Sequence, residues 1–217
     1  MAKNIEFTDA QKEAIKAAVQ KAETRTSGEI VPYFVAASDD YEETNLRAAL
    51  LFILIALGTL GSLSFSWNLP FAITPMEVVL FTLAMGAVGY GLSRFVSPFR
   101  KMLIPKDLMH AKVQQRASSA FLSEEVFLTE KRTGIVILVS NFERMVEVLG
   151  DSGINEKVNK ADWQQVVELI IAGIKNGDPA KGIIDGVERC GELLVEAGVD
   201  KPADNPNELS DDIRLGQ

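Results

Sequence analysis

From Ala48 to Met76 the chain carries no charged residue, and a second uncharged run follows from Val78 to Ser93 after the single Glu77. A helix needs about 20 mostly apolar residues to cross the hydrocarbon core of a bilayer. Ala48–Ser66 and Met76–Val96 each reach that length. Between them, Trp67-Asn68-Leu69-Pro70-Phe71-Ala72-Ile73-Thr74-Pro75 combines two prolines, an asparagine and two aromatics. That composition suits a tight turn at a membrane interface, with Trp67 and Phe71 at headgroup depth. Pro75 suits the first position of the second helix, where its missing N–H costs nothing. The reading is a transmembrane helical hairpin over residues 46–97. The competing reading, two buried helices of a soluble core, requires adjacent helices apolar on every face, which small soluble domains rarely contain. A signal peptide does not fit either, because the run starts near residue 48 and no small-residue cleavage pattern follows a short apolar core.

A hairpin places both of its outer flanks on one side of the membrane. Those flanks carry Arg47 on one arm and Arg94, Arg100, Lys101 and Lys106 on the other, whereas Ser66–Met76 carries no positive charge. The positive-inside rule therefore predicts that the turn faces outward and that both flanking segments and both termini are cytoplasmic. The connector Val96–Lys106, with Phe95 and Phe99 among its positive charges, is expected to lie against an anionic leaflet.

Composition narrows the function. The net charge of −8 argues against nucleic acid as a general partner. One cysteine, Cys190, excludes an intramolecular disulfide and fits a reducing compartment. One histidine, His110, excludes a His-rich zinc site or a Cys-His finger within one chain. A serine or cysteine triad would have to use His110 alone.

Outside the hairpin, Thr8 with Gln11 forms a capping box ahead of a helix that presents Ile15, Ala18, Val19 and Ala22 on one face. Glu29–Ala37 reads as a strand, with Pro32 suggesting an edge position or a bulge. After the hairpin, Asp107–Ser123 reads as a helix with Met109, Val113, Ala117, Ala120 and Phe121 inward. Gly134–Ser140 reads as a strand buried on both faces. Asn141-Phe142-Glu143 turns into a second strand, Arg144–Leu149, to make an antiparallel hairpin. Lys160 or Ala161 to Ile174 is an amphipathic helix anchored by Trp163. Gly177, Asp178 and Pro179 end that helix and start another, on which Cys190 falls among the core positions. Gly182 and Gly186 in that second helix permit close approach to a neighbour. From Gly198 the chain turns polar, with Asp200, Asp204, Glu208, Asp211 and Asp212, and reads as a solvated tail. The expected organisation is residues 1–45 and 98–198 forming one discontinuous domain, 46–97 the membrane insertion, and 199–217 the tail.

Three stretches then carry a family resemblance: Thr26-Ser27-Gly28-Glu29-Ile30-Val31, Lys131 through Ser140, and Glu143 through Ile154, followed by Trp163–Gly177 and Gly182–Leu194. In order and spacing they resemble the TPM domain family, and most of all a bacterial branch with two membrane helices after the first strand. Such a branch carries a histidine at a place like His110 and an Asn-Glu-Leu like Asn207-Glu208-Leu209. The resemblance implies an α/β/α sandwich with a small mixed sheet, here interrupted by the transmembrane hairpin, in a bacterial inner membrane. It also implies contested chemistry, since some relatives are described as acid phosphatases and others as binders of calcium or other divalent ions. Here the stretch after the second strand is only Leu149-Gly150-Asp151-Ser152-Gly153, shorter than the glycine-rich run of other branches.

Asp151 is the leading metal-ligand candidate, since it matches the family's aspartate at a strand end in a glycine-flanked loop. There backbone carbonyls and a carboxylate could surround a hard cation. The alternative is an Asx-type turn that caps the loop. Glu29, Asp39, Asp40 and Glu143 are possible co-ligands. No EF-hand pattern, Cys-x5-Arg loop, Asp-x-Asp-x-Thr motif or histidine cluster is present. No catalytic residue is assigned. His110 is expected in helix packing or against the membrane-side linker. Gly58/Ser62 and Ala87/Gly91 are small-residue pairs that let membrane helices approach closely, either within the hairpin or between copies. The expected function is a membrane-anchored, non-enzymatic module that binds a divalent ion or a protein partner in membrane-protein maintenance. The alternatives are a metal-dependent phosphatase and, less favoured, a small channel or transporter subunit built from a homo-oligomer.

Overall fold

The computed structural model describes residues 6–65, 74–159, 161–199 and 207–216. The expected turn at Trp67–Phe71, the possible helix start at Lys160, and Asp200 and Asp204 of the tail lie outside the described residues. The chain divides into two compact units, Asp40–Leu108 and Asn4–Asp39 with Met109–Gln217.

The larger unit is an α/β/α sandwich around a mixed sheet. Its first helix, α1 (Asp9–Glu23), starts at the capping box in which Thr8 accepts from Gln11 N–H and the Gln11 side chain accepts from Thr8 N–H. Strand β1 (Glu29–Val35) pairs in parallel with β2 (Gly134–Ser140), Glu29 opposite Gly134 and Val35 opposite Ser140. A parallel pair needs a long crossover. The later part of that crossover is α5 (Lys106–Ser123), whose residues from Met109 onward belong to this unit. Strand β3 (Met145–Gly150) returns antiparallel to β2, with Ser140 opposite Met145. A short strand β4 (Arg214–Gly216) completes the order β3-β2-β1-β4. Every residue of β2 is buried, as its unbroken apolar run predicts. Ile30, Phe34, Ile135, Ile137 and Val139 pack on one face against α1, α7 (Gln164–Lys175) and α8 (Pro179–Glu196). Val31, Val35, Val136 and Leu138 pack on the other against Val113, Ala117 and Ala120 of α5.

Helices α7 and α8 are joined as the punctuation implies. Gly177 takes a φ of +80°, Asp178 accepts from Lys181 N–H at 3.1 Å, and Pro179 opens α8. The close approach uses one glycine more than expected. A Cβ on Gly173 would stand 2.3 Å from Gly182 Cα, and one on Gly186 would stand 2.4 Å from Ile170 Cγ1. A short helix, α6 (Ser152–Asn155), follows β3.

Two expectations change here. The segment read as a solvated tail returns to the sheet, where β4 pairs with Tyr33–Val35 and Asp211 is buried. Asp211 is matched by Gln20 and Asn207, and Arg214 by Glu124, and composition alone does not reveal those pairings. Nor is β1 an edge strand despite Pro32. Glu29 N–H donates to Thr133 O on the β2 side, so by strand alternation Ile30 and Pro32 direct their nitrogens to the opposite side. There β4 begins only at Tyr33. Ile30 N–H is taken by the Glu23 carboxylate at 2.8 Å, and Pro32 has no N–H to satisfy. The proline therefore sits in the one part of an interior strand where a donor would lack a strand partner.

The smaller unit contains the helices α2 (Glu42–Phe65) and α3 (Pro75–Phe95), followed by α4 (Ser97–Leu103). Thr74 and Glu77 form a capping box at the start of α3. Glu77 thus acts as an exposed cap at the helix end. The two long helices lie close where Gly86 meets Ile53 and Gly89 meets Ala48 O and Phe52. Ser93 donates to Asn45 Oδ1 at 2.9 Å in the same contact. The small pairs named from sequence do not make it: Gly58 and Gly91 have nothing within 4 Å of a Cβ, and Ala87 is exposed. The basic connector contains a helix, although it carries two prolines. Pro98 occupies the first turn of α4 and Pro105 follows its end, so neither breaks it.

Candidate functional site

The sheet has two polar ends, and the acidic candidates divide between them. The parallel strands β1 and β2 run together for seven residues, which places their ends about 20 Å apart. Glu29 and Asp151 lie at the starting end. Asp39 and Glu143 lie at the carboxyl end. Asp40 belongs to the other compact unit. Of the residues named as metal ligands, Asp151 and Glu29 therefore lie at one end of the sheet and Asp39 at the other, and Asp40 lies outside this unit. Among the described residues no group of three or more His, Cys, Asp or Glu side chains is arranged to hold a metal ion.

At the starting end, Asp151 is the N-cap of α6. Its Oδ1 accepts from Ser152 N–H at 2.6 Å, and its Oδ2 lies 2.8 Å from Arg132 Nε. The loop is drawn tight because Asp151 N–H donates to Gly134 O and Gly153 N–H donates to Arg132 O. This is the Asx-type capping role weighed against metal binding. Glu29 stands roughly two strand spacings away, near 10 Å. It is 2% exposed, and one of its oxygens accepts from Leu209 N–H. Burial raises its carboxyl above the usual range, and the hydrogen bonds from Leu209 and Glu208 pull it back.

Sequence reasoning missed two further acids at this end. Glu23, in the last turn of α1, accepts from Ile30 N–H, and burial pushes its carboxyl up to about 8. Asp211 accepts from Gln20 Nε2 and from Asn207 Nδ2, both at 2.8 Å. These contacts, with Leu209 on Glu29, fasten segment 207–216 beside β1. The signal available in the sequence was Glu23 itself, a charged residue at the end of the otherwise apolar inner face of α1.

At the carboxyl end, the turn after β2 folds over the end of β1. Asn141 N–H donates to Val35 O and Phe142 N–H to Ala36 O. Glu143 is 3% exposed. It accepts from Ser38 N–H at 3.0 Å and from the Ser140 hydroxyl, which in turn lies 3.0 Å from the Ser38 hydroxyl. Next in the chain, Asp39 pairs with Lys112 of α5 at 2.6 Å. Ser38, Ser140 and Lys112 were not singled out from sequence. They gain meaning only once β1, β2 and α5 meet. In open α/β sheets ligands bind outside the carboxyl ends of parallel strands, and this end joins a buried carboxylate, two hydroxyls and a half-exposed ion pair.

Two of the remaining candidates are structural. Trp163 and Cys190 are buried in the core, and burial pushes the Cys190 thiol far up. His110, expected in helix packing, is instead exposed on α5 beside the buried Met109. Because Asp151 serves as a helix cap, Asp151→Ala is expected to cost about 1–2 kcal/mol in urea unfolding, while Asp151→Asn retains most of the cap. The half-exposed partner Arg132 adds less than about 1 kcal/mol to that figure.

Comparison with known proteins bears on the fold. Residues 102–193 match the family model of the TPM domain. Among solved structures, the chain is similar to the NMR structure of BA42 protein from the psychrophilic bacterium Bizionia argentinensis. The TM-score is 0.59 at 21% identity, with 100% of both chains covered. At that identity the likeness speaks for architecture. No curated protein matches the sequence. The family match runs from the end of α4 through β2, β3 and α7 into α8, and β1, which precedes the hairpin, completes the same sheet. Over residues 102–193, then, the chain carries a TPM domain.

Proposed function

We propose that this chain is a membrane-anchored TPM domain. Hairpin α2–α3 holds it in a bilayer. Its α/β unit works from the cytoplasmic face as a non-enzymatic binding module, for a divalent cation such as calcium or for a protein partner, in the upkeep of membrane proteins. One observation carries the anchor. Apolar helices in a soluble core are mostly buried, but only 11% of the apolar window in α2 and 17% of that in α3 are buried. Leu50, Leu54, Leu80 and Leu83 are 59–65% exposed. An exposed apolar surface of this extent marks an interaction with lipid or protein, and helix length and absence of charge select lipid. The orientation follows from Arg47, Arg94, Arg100, Lys101 and Lys106 at one end of the pair.

Alkaline carbonate washing of membranes from expressing cells is expected to leave the protein in the pellet. Reporter fusions at either terminus are expected to report a cytoplasmic location. Release into the supernatant would overturn the anchor.

The binding role is supported by the carboxyl end of the sheet, where Asp39, paired with Lys112, is partly exposed, whereas Asp151 is buried against Arg132 and its own helix. Calcium and magnesium titrations of the detergent-solubilised protein, followed by calorimetry, separate the two. Saturable binding is expected to weaken at least tenfold in Asp39→Asn and to persist in Asp151→Asn. The reverse pattern would return the site to Asp151. Turnover of a phosphate ester that disappears in Asp39→Asn with the fold intact would replace the binding module by a phosphatase.

A further inference from the structure

Helix α4 has seven residues, none of them buried. Helices this short are not stable in water on their own, so α4 must be held by what lies against it. On one side that is the hairpin. Phe99 meets Phe52 of α2 edge-on, with ring centroids 6.2 Å apart. The Arg100 guanidinium lies over the Tyr41 ring, 6.0 Å from its centre. On the other side stand exposed apolar side chains among positive charges. Phe95 is 71% and Met102 73% exposed, and Arg94 and Lys106 are also exposed.

The register of the hairpin sets the depth of this segment. Gly89 lies against Ala48 and Phe52, and Ser93 against Asn45. Arg47 and Arg94 therefore come to the same end of the helix pair. The 21 residues of α3 span about 31 Å, the thickness of a bilayer core. With the rest of α3 in the core, Arg94 and Phe95 reach its boundary and α4 begins at headgroup level. A short segment with exposed Phe95 and Met102 among basic residues has the make-up of an interfacial element.

We propose that α4, with Arg47, Arg94 and Lys106, forms a collar at the base of the hairpin that binds the headgroups of anionic phospholipids, Phe95 and Met102 dipping into the acyl boundary. This rests on the membrane reading above and adds lipid selectivity to it. Basic residues near an anionic surface are each attracted to it, and salt screens that attraction. Three of them, partly screened, give on the order of fivefold preference for an anionic over a zwitterionic lipid.

The test uses the full chain reconstituted in vesicles of phosphatidylcholine containing spin-labelled phosphatidylglycerol or spin-labelled phosphatidylcholine. The ratio of the two association constants at the protein surface is read by electron paramagnetic resonance. About fivefold preference for phosphatidylglycerol is expected, falling toward one in 0.5 M salt, as screening requires. The preference should fall likewise in the triple variant Arg47→Gln, Arg94→Gln, Lys106→Gln, with Gly58→Ala as the unchanged control. Excess inorganic phosphate should not compete; full competition would mean a free-anion site and overturn the lipid assignment. A wild-type ratio near one, or a ratio that the triple variant leaves intact, would overturn the collar while the protein remains in the membrane. Failure to reconstitute, with release by carbonate, would instead overturn the anchor itself.

Discussion

Replacing Gly173 by valine is expected to destabilise the α/β unit by about 3 kcal/mol or more, the largest loss of any single substitution considered. A Cβ at Gly173 would lie 2.3 Å from Gly182 Cα, 2.7 Å from Gly182 N and 2.9 Å from Asp178 O. All three are backbone atoms and cannot rotate aside. Relief requires α8 to move away from α7, and both helices bury their apolar faces in the same core through Val166, Ile170, Ile183 and Val187. Helix propensity does not offset this clash, since valine is only slightly better than glycine in a helix interior. The measurement is urea unfolding of the detergent-solubilised protein, with Gly58→Ala as a comparison at a site that has open space around it. A Gly173→Val variant as stable as the parent would mean that the helices do not meet at this glycine pair.

The second large effect is a pH dependence centred on Glu23. Its carboxyl is 8% exposed. Burial raises it to about 8 from an ordinary value of 4.5, the Ile30 hydrogen bond acts in the opposite direction, and the neighbouring Glu29 and Asp211 push it further up. Between those two values the folded state holds a proton that the unfolded chain has released. Stability is therefore fully present below about pH 4.5 and falls as pH rises through 8. At about 1.4 kcal/mol per unit of displacement, the loss is on the order of 5 kcal/mol. Glu29 shifts in the same direction and adds to the slope.

Glu23→Gln keeps an oxygen for the Ile30 N–H and has no charge to desolvate. The variant is expected to match the parent near pH 5 and to exceed it by a few kcal/mol at pH 9 in urea unfolding. Parallel profiles for the two proteins would show that Glu23 carries no proton in the fold. Because Asp211 sits in the same cluster, the loss at alkaline pH should begin with segment 207–216, read as faster amide exchange at Leu209 and Leu215.

The legible parts of the molecule were those where one residue type has one physical use. The apolar runs gave the hairpin helices. The Thr8/Gln11 box gave the start of α1, and the Gly177-Asp178-Pro179 string gave the α7–α8 junction. The continuous Ile135–Val139 run gave a strand covered on both faces, which β2 is. Illegible were the places where the same residues have two uses. Pro32 marks a strand edge in most sheets, but here it stands in an interior strand beside the point where β4 begins. Gly58, Ser62, Ala87 and Gly91 have the spacing of a helix contact, yet Gly86 and Gly89 make it, because which side of a uniformly apolar helix faces its partner is not written in its hydropathy. Asp151 has the setting of a cation ligand and of a helix cap, and α6, only four residues long, gave too little pattern to favour the cap.

The sequence by itself determined that two helices of this chain are long and apolar and that the segments of an α/β domain flank them along the chain. Both are one-dimensional properties: charge-free length, and a repeat of two or three to four residues along the chain. Tertiary structure alone decided which carboxylates meet. Glu29 and Asp39, ten positions apart, are held at opposite ends of the sheet by the extended strand between them. Glu23 and Asp211, at opposite ends of the sequence, come into one buried cluster, and Ser38, Ser140 and Glu143 into another. Burial and hydrogen bonding act on distances in space, and those distances exist only after β1, β2 and the returning C-terminal segment have been brought side by side.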